Sequence, residues 1–334
     1  MYKNVHITGV GAYHPKKLAS NEDLINHFKP YGSSEHAAAL MDSLGRETRT
    51  FAEEGETSIT MALEASKIAI NKAGISTEDI DMIISVSDTP EYLSPCCALL
   101  IKNKLNAINS SSVFDVNSNC TGMLTAMDIA SRYIKTHKKY KKVLVVGSLL
   151  ISPLARKDDI VAYGCAADGA AAVILELREE NEERGLLDSI TLTDDNYHWS
   201  ITMPACGMSK VTNSEIEAED KKMLWKPFDF SFLSEKWNEC IRKLVTDNDY
   251  KIDDVSHYFM SQFSKADLEL TISKLDGDDS KSTFIGNKYG YTGCTSPIMA
   301  LDDRLKYEKF NKDDIVVFCS VASGYSICAL LYKW

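Results

Sequence analysis

The chain contains no run of about 18 apolar residues, so no segment of it reads as a membrane-crossing helix. Its first residues, Met1-Tyr2-Lys3-Asn4-Val5-His6-Ile7, lack the long apolar stretch of a secretory leader and pass directly into a strand-like pattern. Together these absences predict a cytoplasmic protein that makes no use of a membrane. No C-x-x-C pair and no histidine at zinc-finger spacing accompany the nine cysteines, at 96, 97, 120, 165, 206, 240, 294, 319 and 328. An odd count in that pattern builds neither a disulfide framework nor a structural metal site. Cationic charge is also in deficit, with 37 Lys and Arg against 48 Asp and Glu and a formal net charge of −11. Phosphate backbones are bound by a dense basic face, so nucleic acid is not an expected partner, and any acidic partner must meet a local basic patch. What is present is ordinary globular material: 334 residues, 44% apolar and 25% charged, enough for a large core in two domains or one fused pair.

Sliding the chain against itself by about half its length reveals a duplication. Asp79-Ile80-Asp81-Met82-Ile83-Ile84-Ser85 recurs as Asp254-Val255-Ser256-His257-Tyr258-Phe259-Met260. Cys120-Thr121-Gly122-Met123 through Asp128 recurs as Cys294-Thr295-Ser296-Pro297 through Asp302. Val143 to Gly147, with Gly169 to Leu175 after it, recurs as Ile315 to Cys319 with Gly324 to Leu330. The offsets agree closely, which predicts two similarly folded halves, 1–176 and 177–334. Within each, β-branched apolar runs alternate with helical patterns, the signature of α/β layering. Ile59, Ala62, Leu63, Ala69, Ile70 and Ala73 recur at helical spacing, predicting a helix over 58–73 that Gly74 ends. The Glu-rich tract 178–184 reads as a solvated connection between the halves. The five lysines of 135–142 fall where a helix from Thr121 finishes and offset its C-terminal dipole.

Val113-Phe114-Asp115-Val116 reads as a buried strand and 121–135 as a helix, so Asn117-Ser118-Asn119-Cys120 is a tight turn that leaves Cys120 at a helix N-terminus. Unpaired N–H groups and the helix dipole favour an anion there, and thiolate is the reactive form of cysteine. That argument predicts a thiol shifted towards ionisation at neutral pH. Gly122, two residues on, either leaves room for an acyl chain or a cofactor arm or serves plain packing in the first helical turn. From these residues alone a turn cysteine is more often a buried structural residue than a nucleophile.

The stretch Phe114-Asp115-Val116-Asn117-Ser118-Asn119-Cys120-Thr121-Gly122-Met123 resembles the nucleophile motif of 3-ketoacyl-ACP synthase III, in which Cys-x-Gly follows an apolar strand. The similarity runs nearly end to end, through Ile7 to Pro15 (Ile-Thr-Gly-Val-Gly-Ala-Tyr-His-Pro), Asn21 to Leu24, Lys72 to Ile75, Val145 to Ser148, Asp168 to Val173 and Ala322 to Tyr325. The resemblance implies a thiolase-like five-layered α/β/α/β/α fold, a homodimer, and a pantetheine tunnel reaching the cysteine. It implies no permanently bound cofactor, but a phosphopantetheine thioester, acyl-ACP or acyl-CoA, as substrate. An acyl group would pass to Cys120 and then to a second substrate, with the backbone N–H groups of Cys120 and of the Ser323-Gly324 turn holding the oxyanion.

The sequence departs from that family at two positions. Where the family has a His in a His-Gln-Ala-Asn stretch this chain has Ser261, and where it has the Asn of a Gly-Asn-Thr-Ser turn this chain has Tyr291. Serine and tyrosine hydroxyls donate hydrogen bonds but are poor bases near neutral pH, so the decarboxylating condensation of the family is the step the changes affect. His198 and, less favoured, His257 are the candidate substitute bases. The family's adenine-contacting Trp and Arg are replaced by Ser34-Glu35-His36-Ala37-Ala38-Ala39-Leu40, which favours acyl carrier protein over free CoA, met by lysines such as Lys210, Lys221, Lys222 or Lys265. Tyr92 and Leu93, with Pro95-Cys96-Cys97, match the segment that in the family closes the partner's acyl pocket across the dimer. Three functions fit these residues: a condensing synthase, a non-decarboxylating O- or N-acyltransferase on the same scaffold, or a catalytically weak subunit paired with an active homologue.

Overall fold

The computed structural model describes residues 1–334. Its first half supplies strands β1 (Tyr2–Tyr13), β2 (Met82–Val86), β3 (Ser112–Val116), β4 (Lys142–Leu149) and β5 (Gly169–Glu180). The second supplies β6 (Gly185–Thr193), β7 (Val255–Met260), β8 (Ile315–Ala322) and β9 (Ser326–Lys333). They run in the order β7-β8-β9-β6-β1-β5-β4-β2-β3, and the two halves are joined where β1 and β6 meet in parallel through the single pair Val5 and Gly185.

The duplication is visible strand by strand. β5 is antiparallel to both β1 and β4, and β4 is parallel to β2. In the second half β9 is antiparallel to both β6 and β8, and β8 is parallel to β7. β3, parallel to β2 at the free edge, has no counterpart.

Three layers of helix cover these sheets. α1 (Ser58–Ala73) and α2 (Cys97–Leu105) pack on the outer face of the first sheet, α4 (Leu233–Asp247) and α5 (Lys265–Lys274) on that of the second, and α3 (Gly122–Thr136) and α6 (Ser296–Arg304) lie between them. Strand alternation divides the core accordingly: Ile83, Leu144 and Val146 face α1 and α2, while Met82, Ile84, Val143 and Val145 face the central helices beside Met127, Ile298 and Met299. The result is the expected five-layered α/β/α/β/α arrangement from two duplicated halves. No helix is long and apolar enough to cross a membrane.

The helix predicted over 58–73 forms with those bounds. Thr57 accepts the Thr60 N–H in a capping box, and Gly74 closes the helix in the left-handed region at φ 66°. Two local expectations change. β5 runs on to Glu180 because it stays paired with β1 as far as Tyr2, so the solvated connection shrinks to 181–184. The strand before Cys120 is half-buried rather than buried, since β3 is the edge strand; its Asp115 is exposed, and its carboxylate accepts the Cys97 and Ala98 N–H groups (2.6 and 2.8 Å), capping α2.

Candidate active site

The chain between β3 and α3 turns sharply through a single 3-10 turn, Asn119–Thr121, with Asn119 in the left-handed region at φ 49°. The Thr121 hydroxyl donates to the Ser118 carbonyl (2.7 Å) and tightens the turn. Ser320 of β8 donates to the Cys120 carbonyl (2.9 Å), so the second half also grips it. Gly122 must be glycine here, because a Cβ would stand 2.4 Å from Val86 Cγ1 of β2. The helix therefore begins flush against the neighbouring strand, and Cys120 is held just ahead of its first turn.

The Cys120 side chain opens into a cavity of about 230 Å³. Its polar end is formed by Asp88, Asn117, Asn119, Cys120, Tyr291 and Ser323; its walls include Leu149, Ile151, Ile201, Met203, Met223 and Trp225. A narrower recess beside it, lined by Phe228, Phe230 and Phe263, also reaches Cys120 and Tyr291. A small polar end with one sulfur and an apolar body matches what an acyl thioester presents.

Asp88 is the site residue that the sequence reading missed. It lies two residues beyond the end of β2, and because Val86 pairs with Val116 in the parallel register, it comes level with the turn that follows β3. The Cys120 thiol points at Asp88 Oδ2, 3.8 Å away. Oδ1 is sealed from solvent and has no hydrogen-bond partner, although the residue as a whole borders the cavity. An acidic residue just past a parallel strand's carboxyl end, beside the strand that leads to the nucleophile, is the signal that finds it.

The electrostatics correct the expectation of a low-pKa thiol. Burial and the Asp88 carboxylate push Cys120 up to about 12, while the Tyr291 hydroxyl and the residue's own N–H pull less strongly the other way. Burial pushes Asp88 up to about 6. Cys120 thus rests as a thiol, and its thiolate fraction climbs through the neutral range. Alkylation of Cys120 by iodoacetamide is expected to quicken by roughly tenfold per pH unit between pH 6 and 9. A plateau below pH 8, read by intact-protein mass against time, contradicts this.

Tyr291 is buried, edge-on to Phe263 at 5.3 Å between ring centroids, and its hydroxyl lies beside both the Cys120 sulfur and Ser261. Ser261 is buried, and its Oγ makes no full hydrogen bond. Cys120, Tyr291 and Ser261 are therefore brought together, and Ser323 joins them on the cavity wall. Gly324 does not line the cavity; its carbonyl accepts the Tyr197 N–H (2.7 Å).

Neither histidine reaches the site. His198 is exposed, with Nδ1 bonded to the Asp195 carbonyl (2.9 Å), outside the cavity lining. His257 is sealed in the core against Thr283 and Phe259, and burial lowers it to about 3. Tyr92 and Leu93 do not line this cavity either; they stand exposed on a separate shallow pocket beside Asp115 and Asn117. Of the candidate docking lysines, Lys222 pairs with Glu219 (2.6 Å) and Lys265 with Glu269 (3.4 Å), whereas Lys210 and Lys221 make no ion pair. No group of three metal-ligating side chains exists in the chain.

Comparison with known proteins gives one answer. Residues 114–195 match the profile described as 3-oxoacyl-[acyl-carrier-protein (ACP)] synthase III, and residues 245–334 match that family's C-terminal profile, together over half of the chain. The beta-ketoacyl-[acyl-carrier-protein] synthase III of Koribacter versatilis is 27% identical over 336 residues, covering 99% of this chain and 98% of its own. That of Aliarcobacter butzleri is 28% identical over 329 residues, covering 97% and 96%. The crystal structure of the synthase III of Aquifex aeolicus superposes with a TM-score of 0.87 at 25% identity, across 99% of this chain and all of the other. With the five layers and the Cys-x-Gly turn, these matches make the chain a member of the 3-oxoacyl-ACP synthase III family.

Proposed function

We propose that the protein takes an acyl group from a phosphopantetheine thioester onto Cys120 and passes it to a second substrate. The observation that carries this reading is the position of the Cys120 sulfur, at the polar foot of an otherwise largely apolar cavity. Attack on the thioester carbonyl expels the carrier thiolate and leaves the acyl group on Sγ. The hydroxyls of Tyr291 and Ser261, standing where the family has Asn and His, are the side-chain donors near the reacting carbonyl, with backbone N–H groups of the Cys120 turn and of Ser323 as further donors. Acyl carrier protein is the favoured donor, and Lys210 and Lys221, free of ion pairs, are the lysines available to its acidic surface.

The same reading takes the protein as a homodimer in the cytoplasm. Tyr92 and Leu93, 52% and 73% exposed in the single chain, are apolar contacts available to a second copy beside the open β3 edge.

The test is to incubate the protein with octanoyl-ACP, octanoyl-CoA and [¹⁴C]malonyl-ACP and follow intact mass and CO₂. An octanoyl adduct mapped to Cys120, faster from ACP than from CoA, is the expected result. Absence of any adduct on Cys120 overturns the reading and favours a weak partner subunit.

A further inference from the structure

Burial raises the carboxyls of Asp168 and Asp88 alike, but their surroundings differ. Asp168 is saturated: its carboxylate accepts the N–H groups of Ala52 (2.7 Å), Ile151 (2.6 Å) and Ser152 (2.9 Å) and the Ser152 hydroxyl. It is a structural carboxylate that ties three segments together. Asp88 has one long contact, to the Cys120 thiol, and an orphaned Oδ1. A buried carboxyl left in that condition costs stability that a small apolar residue would not. An unpartnered carboxyl oxygen on a cavity wall points to work done on something that enters the cavity.

The cavity lining sharpens this. It contains no histidine, lysine, arginine or glutamate; its ionisable groups are Asp88, Cys120 and Tyr291. Cys120 is a thiol at rest, and Tyr291 is pushed well above its ordinary value by burial. A thiol that is not ionised needs a proton acceptor at the moment of attack, and Asp88 is the single base in contact with it.

We propose that Asp88 is the catalytic base of both half-reactions and that the second substrate is a protic nucleophile, a hydroxyl or an amine, acylated without loss of CO₂. This deepens the acyl-Cys120 reading and rests on it. In loading, Asp88 accepts the Cys120 proton as Sγ bonds to the acyl carbon, and returns it to the carrier thiolate that leaves. In transfer, Asp88 accepts the proton of the attacking O–H or N–H, the new C–O or C–N bond forms, the C–S bond breaks, and the proton returns to Sγ. Charge and atoms balance in each half, and no further reactant is required. A carboxyl that burial holds near 6 is suited to both steps at neutral pH. The titratable groups facing Asp88 are Cys120 before α3, and Cys294 and Tyr291 before α6.

The test uses the full chain, Asp88→Asn and Asp88→Glu, with octanoyl-N-acetylcysteamine as the acyl probe and iodoacetamide as the thiol probe. Asp88→Asn is expected to slow formation of the octanoyl-Cys120 adduct by about 100-fold or more. It is also expected to speed alkylation at pH 7, where iodoacetamide takes the pre-formed thiolate and iodide leaves without needing a proton returned, because removing the negative charge lowers the thiol's pKa. A merely structural role moves both rates in one direction. Asp88→Glu is expected to recover part of the loading rate. Wild-type loading by Asp88→Asn overturns the base, and a joint fall of both rates does so too. Release of ¹⁴CO₂ from [¹⁴C]malonyl-ACP in step with transfer overturns the acceptor class. Failure of the wild-type protein to form any adduct removes the acyl-enzyme itself, which separates that outcome from loss of the Asp88 role.

Discussion

Cys120→Ala is expected to form no acyl adduct and to consume its thioester at least about 10⁴-fold more slowly than the natural protein. The size follows from the absence of a second thiol: the cavity wall otherwise offers a carboxyl, a buried phenol and the Ser323 hydroxyl, none of which can hold the acyl group as a thioester. Stability is expected to change by under about 1 kcal/mol, since the side chain borders a cavity rather than packed core. Turnover is read as release of free carrier thiol, with thermal unfolding measured on the same preparation. A folded variant that retained the native rate would falsify the covalent route.

Gly11→Ala acts on the fold instead. β1 sits at the centre of the strand order, and its Gly9 and Gly11 lie directly against the backbone of α1. A Cβ on Gly11 would stand 2.3 Å from the Ala65 carbonyl oxygen and 2.7 Å from the Ala69 N. These are backbone atoms of a helix capped at both ends, so no side chain can swing away, and α1 must lift from the sheet. A loss of about 2–3 kcal/mol is expected, seen as a lower urea midpoint with an unchanged slope. An unmoved midpoint means the approach of β1 to α1 is looser than described. The Ile7 to Pro15 motif thus has a packing reason for its glycines.

Much of the scaffold was legible because it is local or repeated. The helix at 58–73 carries its period, its Thr57 cap and its Gly74 stop within its own residues. The repeat places β2 opposite β7 and the Cys120 turn opposite the Cys294 turn, so the two-half architecture follows from offsets alone. The edge position of β3 was not legible, since nothing in its residues says that no strand follows it. The site was legible where a motif carried it, at Cys120, and obscure where only tertiary register did. Asp88 has no motif; it approaches the sulfur because β2 and β3 end level. The thiol's ionisation was misjudged for a related reason: the turn offers a favourable helix end, but enclosure and a neighbouring carboxylate, both set by distant chain, outweigh it.

The duplication gives the molecule an internal reference. Cys294 occupies the turn before α6 as Cys120 occupies the turn before α3, each inside a 3-10 turn that leads into a central helix. Yet Cys294 is completely sealed, and burial raises its pKa well above the ordinary thiol value. One chain therefore carries the same residue in the same local setting twice, once with access to a ligand and once without. Whatever separates the chemistry of these two sulfurs belongs to the cavity rather than to the loop that presents them.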